Sequence, residues 1–242
     1  MTTLFISDLH LSGERPRITQ LFQDFLRSEA RQAEALYILG DLFEVWLGDD
    51  AVTPDIAPVI DNLASLTKMG IPLFVMVGNR DFLLGEGFAK MTGCTLLPDP
   101  TIIDLYGTPT LLMHGDTLCT DDIDYQQFRA MVRDPVWQKD FLAKPVAERI
   151  RIGREARTES RARTREKSDQ IMDANAQAVN EAFRNHHVLQ LIHGHTHRPA
   201  IHELTINDHL AKRIVLGDWY EHGSVLRVSA NGFELGGLLT QA

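Results

Sequence analysis

The sequence predicts an α/β fold, a two-sheet core interrupted by one helical insert. Three observations carry this. Short apolar runs at 3–7, 35–39 and 72–77 alternate with helix-length segments. The stretch 121–185 holds no strand-like run. Strand-like runs resume at 188–193 and continue, with turn signals, to the end. Strands buried on both faces read as continuous apolar runs, and their alternation with helices implies a largely buried sheet.

The elements follow in order. The run 3–7 is the first strand. Segment 17–31 carries Ile18, Leu21, Phe22, Phe25 and Leu26 on one helical face. The second strand is 35–39. Segment 56–69 repeats the helical pattern, with Gly70 and Pro72 as stop signals. The third strand is 72–77. Past Gly93, runs 95–97, 102–105 and 110–114 read as short strands with turns at 98–100 and 106–109. In the insert, Tyr125, Phe128, Met131 and Val132 form one helical stripe. Val136, Trp137, Phe141 and Leu142 form a second, and a basic segment forms a third helix. The last strands are separated by turns at Asn207 with Asp208, His222 with Gly223, and Asn231 with Gly232. The division is therefore a core of 1–120 with 186–242, and a helical cap of 121–185. Trp46, Asp49, Asp50 and Trp137 read as exposed or half-exposed.

A chain of 242 residues can bury a real core. Its two cysteines, Cys94 and Cys119, are too few for a disulfide framework or a thiolate zinc site, and read as small buried residues. No stretch approaches the roughly 20 apolar residues of a membrane span, and residues 1–7 run into a core strand rather than a leader. A cytoplasmic protein is expected. The formal net charge of -9 argues against nucleic acid as a partner. Yet Arg149, Arg151, Arg154, Arg157, Arg161, Arg163, Arg165 and Lys167 crowd one segment, opposed by Glu155, Glu159 and Glu166. A basic patch on an acidic chain points to a localised anionic ligand.

Five polar clusters each follow an apolar strand: Ser7-Asp8-Leu9-His10, Gly40-Asp41, Gly78-Asn79-Arg80-Asp81, His114-Gly115-Asp116, and Gly194-His195-Thr196-His197-Arg198-Pro199. In open α/β sheets, sites form at the carboxyl ends of strands. The clusters supply oxygen and nitrogen ligands and no sulfur. Strand alternation would place both members of Asp8/His10, and both of His195/His197, on one side of the chain. Each pair could then face one metal.

This order of motifs resembles the calcineurin-like metallophosphoesterase family. The resemblance covers the core on both sides of the insert. It implies a four-layer α-β-β-α sandwich with a helical cap, and two divalent ions, most simply Mn2+. It assigns Asp8, His10, Asp41 and His197 to one ion, and Asp41, Asn79, His114 and His195 to the other. Nitrogen-rich ligation favours manganese, iron, cobalt or zinc over magnesium or calcium. Two such ions outweigh two carboxylates, so the site attracts phosphate oxygens, and a water between them loses its proton near neutral pH. Arg80, Asn79, His114 and Asp81 are the expected catalytic residues.

One departure narrows the substrate. Many members of the family have His where this chain has Arg80. A guanidinium, with a pKa above about 12, is a poor proton donor. It can hold negative charge on phosphate oxygens instead. That suits a leaving group needing no proton, such as a phosphate monoester with a second pKa of about 6. Arg80 thus favours phosphoanhydrides, although it could also pair with Asp81.

Within the family, the Arg- and Lys-rich insert, His197-Arg198-Pro199 and Leu216-Gly217-Asp218-Trp219 resemble the branch that cleaves a diacylated UDP-sugar. This implies an amphiphilic UDP-sugar lipid as substrate. It implies contacts from Asn79, Arg80, Asp122, Ser160, Thr164, Lys167 and His195, with Arg157 joining the helical face of Ser160, Thr164 and Lys167. An acylated substrate places the protein peripherally on an anionic membrane, the cytoplasmic face of the inner membrane. No obligate protein partner is expected.

Overall fold

The computed structural model describes residues 2–166, 171 and 173–238, without the side chains of 159–166. In chain order the elements are β1 (Thr3–Ile6), α1 (Pro16–Arg27), β2 (Ala35–Leu39), α2 (Ala57–Lys68), β3 (Leu73–Met76), α3 (Glu86–Thr92) and β4 (Thr95–Leu97). Then come β5 (Thr101–Leu105), β6 (Thr108–Met113), α4 (Ile123–Val132), α5 (Pro135–Leu142), α6 (Val146–Glu166) and α7 (Ala176–His186). The chain closes with β7 (Gln190–His193), β8 (Ala200–Ile206), β9 (His209–Val215), β10 (Ser224–Ser229) and β11 (Gly232–Gly237).

Two sheets form. One has the order β11-β10-β1-β2-β3-β4, the other β5-β6-β7-β9-β8. β1 to β4 are mutually parallel, as are β6, β7 and β9. Between the sheets, Phe5, Leu39, Met76 and Leu226 meet Leu112, Ile192 and Ile214. On the outer face of the first sheet lie Ile18, Phe22, Phe25 and Leu26 of α1, Val59 and Leu63 of α2, and Phe88 of α3. On the outer face of the second lie Val179 and Phe183 of α7. These are the four layers α-β-β-α.

The central strands β1 and β7 are buried at every position, which explains their continuous apolar runs. Local signals set the ends. Pro16 and Pro135 open α1 and α5, where a missing N–H costs nothing, and Asp134 and Asn175 cap α5 and α7. Asn207 and Asp208, with φ of 49° and 64°, make the tight turn joining β8 to β9.

The structure adds two features to the sequence reading and changes one expectation. Helix α3 was not anticipated. Helix α7 falls inside the 121–185 insert of the sequence reading, yet its apolar face completes the second sheet's core. Trp46 is buried, stacked on Phe43 at 4.9 Å, and its indole N–H donates to Asp49 Oδ1 at 2.9 Å. Asp49 also accepts from the amides of Gly85 and Gly87. Asp50 remains exposed and pairs with the buried Arg149 of α6 at 2.5 Å. Trp137 stacks on Phe141, which enters the first sheet's core. Cys94 and Cys119 are buried and form no disulfide, as the sequence implied.

Candidate metal centre

Every motif residue lies just past a strand end, on loops stitched to one another. Asp8 N–H donates to Gly40 O, His10 N–H to Asp41 O, Gly194 N–H to His114 O and Trp219 N–H to Asp8 O, all at 2.8–3.1 Å. The side chains do not alternate as strand residues would. Asp8, His10, Asp41, His195 and His197 have φ of 57°, 50°, 53°, 68° and 56°. Non-glycine residues seldom occupy that left-handed region, and clusters of them mark functional loops. The glycines serve close approach. A Cβ on Gly78 would collide with the Asp41 carboxylate, and one on Gly194 with Ser7 and Asp8.

Two groups result. In the first, His197 Nε2 lies 3.3 Å from Asp8 Oδ1 and 3.5 Å from His10 Nε2. His10 Nε2 lies 3.7 Å from Asp41 Oδ2. In the second, Asn79 Oδ1 lies 2.9 Å from His114 Nε2 and 2.8 Å from His195 Nδ1. Asp41 Oδ1 is 3.9 Å from His114 Nε2, so Asp41 stands between the groups. His195 and His197 thus lie in different groups, as in the ligand assignment the resemblance implies and unlike what strand alternation alone would place, while Asp8 and His10 share the first group.

The donors are held with one atom free each. Asp8 Oδ2 accepts from the Ser7 hydroxyl at 2.5 Å and the His195 amide at 2.9 Å, while the buried Oδ1 has no hydrogen bond. Asp41 Oδ1 accepts the Arg80 amide at 2.8 Å. His114 Nδ1 faces Leu39 O at 2.9 Å and must carry the proton there. When the ring is neutral, its Nε2 presents a lone pair toward Asn79 Oδ1. His195 Nδ1 points at the same oxygen. Two ring nitrogens and a carboxamide oxygen that converge this closely offer a donor set that suits a cation.

The electrostatics agree. Burial pulls His114 toward neutrality, but the charges of Asp41, Asp116 and Asp8 outweigh it and lift its pKa to about 9. Burial, reinforced by His114, presses His195 down to about 4. Burial alone would raise Asp8, yet the His197 imidazole beside its carboxylate, with the charges of His114 and His10, holds it well below the usual carboxylate range. Without another cation, a histidine must supply the positive charge. Ions of charge two, bound by neutral imidazoles, fit this pocket.

The catalytic expectation for Asp81 is corrected. Its carboxylate is fully buried and accepts the amides of Gly78 (2.7 Å), Leu42 (2.8 Å), Asp41 (3.3 Å) and Phe43 (3.3 Å). Burial and the charge of Asp41 raise its pKa to about 6. Asp81 clamps two metal-type loops together, and both of its oxygens are taken up by backbone amides. It does not pair with Arg80; among the described residues the Arg80 guanidinium has no ion-pair partner. Asp81→Ala should expose four orphaned amides and cost about 3 kcal/mol or more, read as a lowered urea midpoint.

The insert reaches the site from several directions. Tyr125 of α4 lies 5.9 Å from the His195 ring, its hydroxyl held by Asp116 Oδ2 at 2.5 Å. Arg129 donates to the same oxygen at 2.8 Å. Arg133 donates to Gly78 O at 2.8 Å. Arg157 of α6 pairs with Glu44 at 3.0 Å and Glu14 at 3.1 Å. Asp122 caps α4 through the Tyr125 amide. Lys167 lies outside the described residues, as do the side chains of Ser160 and Thr164. Tyr220 stacks on His10 at 5.5 Å, and Asp218 backs His197 at 3.6 Å. Sequence reasoning missed Glu44 and Tyr220, which carry no local motif. Tyr125 was visible only as part of an apolar stripe.

Two carboxylates, four imidazoles and a carboxamide at the carboxyl ends of strands, on a four-layer sandwich, define a metal-dependent phosphoesterase. The model of the family described as calcineurin-like phosphoesterase matches residues 1–199, and the chain belongs to that family. Proteins named UDP-2,3-diacylglucosamine hydrolase are similar over nearly the whole chain. That of Stenotrophomonas maltophilia (strain R551-3) is 55% identical, covering 97% of this chain and 98% of its own. That of Xanthomonas axonopodis pv. citri (strain 306) is 54% identical with the same coverage. A solved archaeal phosphodiesterase aligns over 98% of this chain and 100% of its own, at 13% identity and a TM-score of 0.49. Among the described residues, no helix is long and apolar enough to cross a membrane.

Proposed function

We propose that this enzyme hydrolyses the diphosphate of UDP-2,3-diacylglucosamine to UMP and 2,3-diacylglucosamine 1-phosphate, a step of lipid A biosynthesis. The observation that carries the reading is end-to-end similarity to hydrolases of that name, at 55% identity. Asp8, His10, Asp41 and His197 would hold one ion, and Asp41, Asn79, His114 and His195 the other, Mn2+ being the expected metal. When bound, the ions supply Lewis acidity and lower the pKa of water. The attacked atom is the phosphorus next to uridine, and a sugar phosphate leaves.

The protein's own groups do the rest. Ser7 and the His195 amide orient Asp8, and Leu39 O fixes the His114 tautomer. Arg80 holds charge on the leaving phosphate without giving up a proton. Helices α4 to α6 act as the cap, with Asp122, Arg157, Ser160, Thr164 and Lys167 as the proposed substrate contacts. Turnover of UDP-2,3-diacylglucosamine, diadenosine tetraphosphate and p-nitrophenyl phosphate should be compared. Preference for the first is expected, and preference for the last would overturn the assignment.

The same reading places the enzyme peripherally on the cytoplasmic face of the inner membrane. Ile123, Phe128 and Met131 of α4, with Val136 and Leu142 of α5, are exposed apolar side chains on the cap. Basic residues near a surface add roughly 1 kcal/mol each toward anionic lipid. The protein should float with phosphatidylglycerol vesicles and be released by salt; sedimentation away from them at low salt would contradict this.

A further inference from the structure

Glu44 lies between two parts of the molecule that are distant in sequence. Its Oε2 stands 3.2 Å from His10 Nδ1, and its Oε1 stands 3.0 Å from Nε of Arg157 on α6. One carboxylate oxygen thus serves the metal-type cluster and the other serves the cap. The contact is shielded: the His10 side chain is 3% exposed and that of Glu44 11%. Tyr220, stacked parallel on the imidazole, limits its tilt. With a carboxylate facing Nδ1, neutral His10 keeps its proton on that atom. Nε2 then keeps its lone pair toward Asp41 Oδ2 and His197 Nε2. A partner on the far nitrogen of a ligating imidazole sets both its tautomer and its orientation. On the other side, Glu44 and Glu14 together hold the Arg157 guanidinium.

We propose that Glu44 is a positioning residue that couples the Asp8, His10 and His197 cluster to Arg157 of the cap. The inference rests on the metal-centre reading above. A cation held on His10 Nε2 would draw electron density from the ring and strengthen the attraction between Nδ1–H and the Glu44 carboxylate 3.2 Å away. That pins the carboxylate holding Arg157. By linkage, fixing Arg157 must alter metal affinity by the same factor. Residue 44 therefore matters before any substrate arrives, which a purely substrate-binding Arg157 would not require.

The test is calorimetric titration of Mn2+ alone into chelator-stripped protein, without substrate. Wild type, Glu44→Ala, Arg157→Ala and the double variant are compared. Wild type should bind two equivalents. Glu44→Ala should weaken one binding step by about 10- to 100-fold and leave the other unchanged. The double variant should depart from the product of the single effects by at least about twofold. Two wild-type-like steps in Glu44→Ala, or effects that simply multiply, would overturn the coupling. A wild type that binds no Mn2+ would remove the metal-centre reading itself, and this inference with it. If circular dichroism shows Glu44→Ala unfolded, Glu44→Gln replaces it. Gln keeps an acceptor for His10 and loses the charge for Arg157, so Arg157→Ala should then no longer change the affinity; a persisting change would overturn the coupling.

Discussion

Asn79→Ala is expected to bind one Mn2+ equivalent instead of two and to lose turnover by about a thousandfold or more. Several kcal/mol of transition-state charge stabilisation depend on each ion, and each 1.4 kcal/mol is about tenfold in rate. Asn79 Oδ1 is where the lone pairs of His114 and His195 converge, at 2.9 and 2.8 Å. Removing it takes away the central oxygen of that group and leaves two imidazoles without a common partner. The fold should persist, because the Asn79 side chain is half-buried and, among the described residues, bonds to two imidazoles of the pocket. His114→Ala should lose the same ion and also some stability. Its Nδ1 ties Leu39 O of the first sheet to β6 of the second, and the ring is fully buried. Asn79→Asp keeps an oxygen at the same place and should retain both ions. Metal analysis, circular dichroism and steady-state rates on the three variants check this. Full activity in Asn79→Ala would remove the second ion from the chemistry.

Arg80→Ala should act differently: both ions retained, turnover down by about two to three orders of magnitude, the scale of losing one transition-state donor. The reason is that Arg80 contributes two separable groups. Its backbone N–H holds Asp41 Oδ1 at 2.8 Å and survives the substitution. Its guanidinium, whose charge works against burial to help hold the Glu44 carboxyl below its ordinary range, does not. Loss of kcat with unchanged metal content would separate charge stabilisation from metal binding. Lysine at 80 should recover part of the rate, since it keeps the charge but not the planar fork. An unimpaired Arg80→Ala would refute the charge-holding role and reopen simple phosphoesters as substrates.

The strands, their order and the metal-type residues were legible in the residues alone, because their signals are local. A continuous apolar run such as Thr3 to Ile6 needs burial on both faces, and a Gly-Asp or Gly-Asn pair at its end needs a tight turn. What escaped the sequence depends on atoms brought together from far along the chain. Strand alternation could not show that five of the site residues take left-handed backbone, nor that His195 and His197 turn to different partners. Asp81 looked like a reacting group until its carboxylate was seen filled by four amides from two loops. Glu44 sits in no motif; its meaning comes from His10 on one side and Arg157 on the other. Trp46 read as exposed because Phe88, which covers it, comes from far along the chain. Local chemistry names the candidate ligands, but which atom faces which is set by packing two sheets and three cap helices at one edge, a through-space outcome that no single segment encodes.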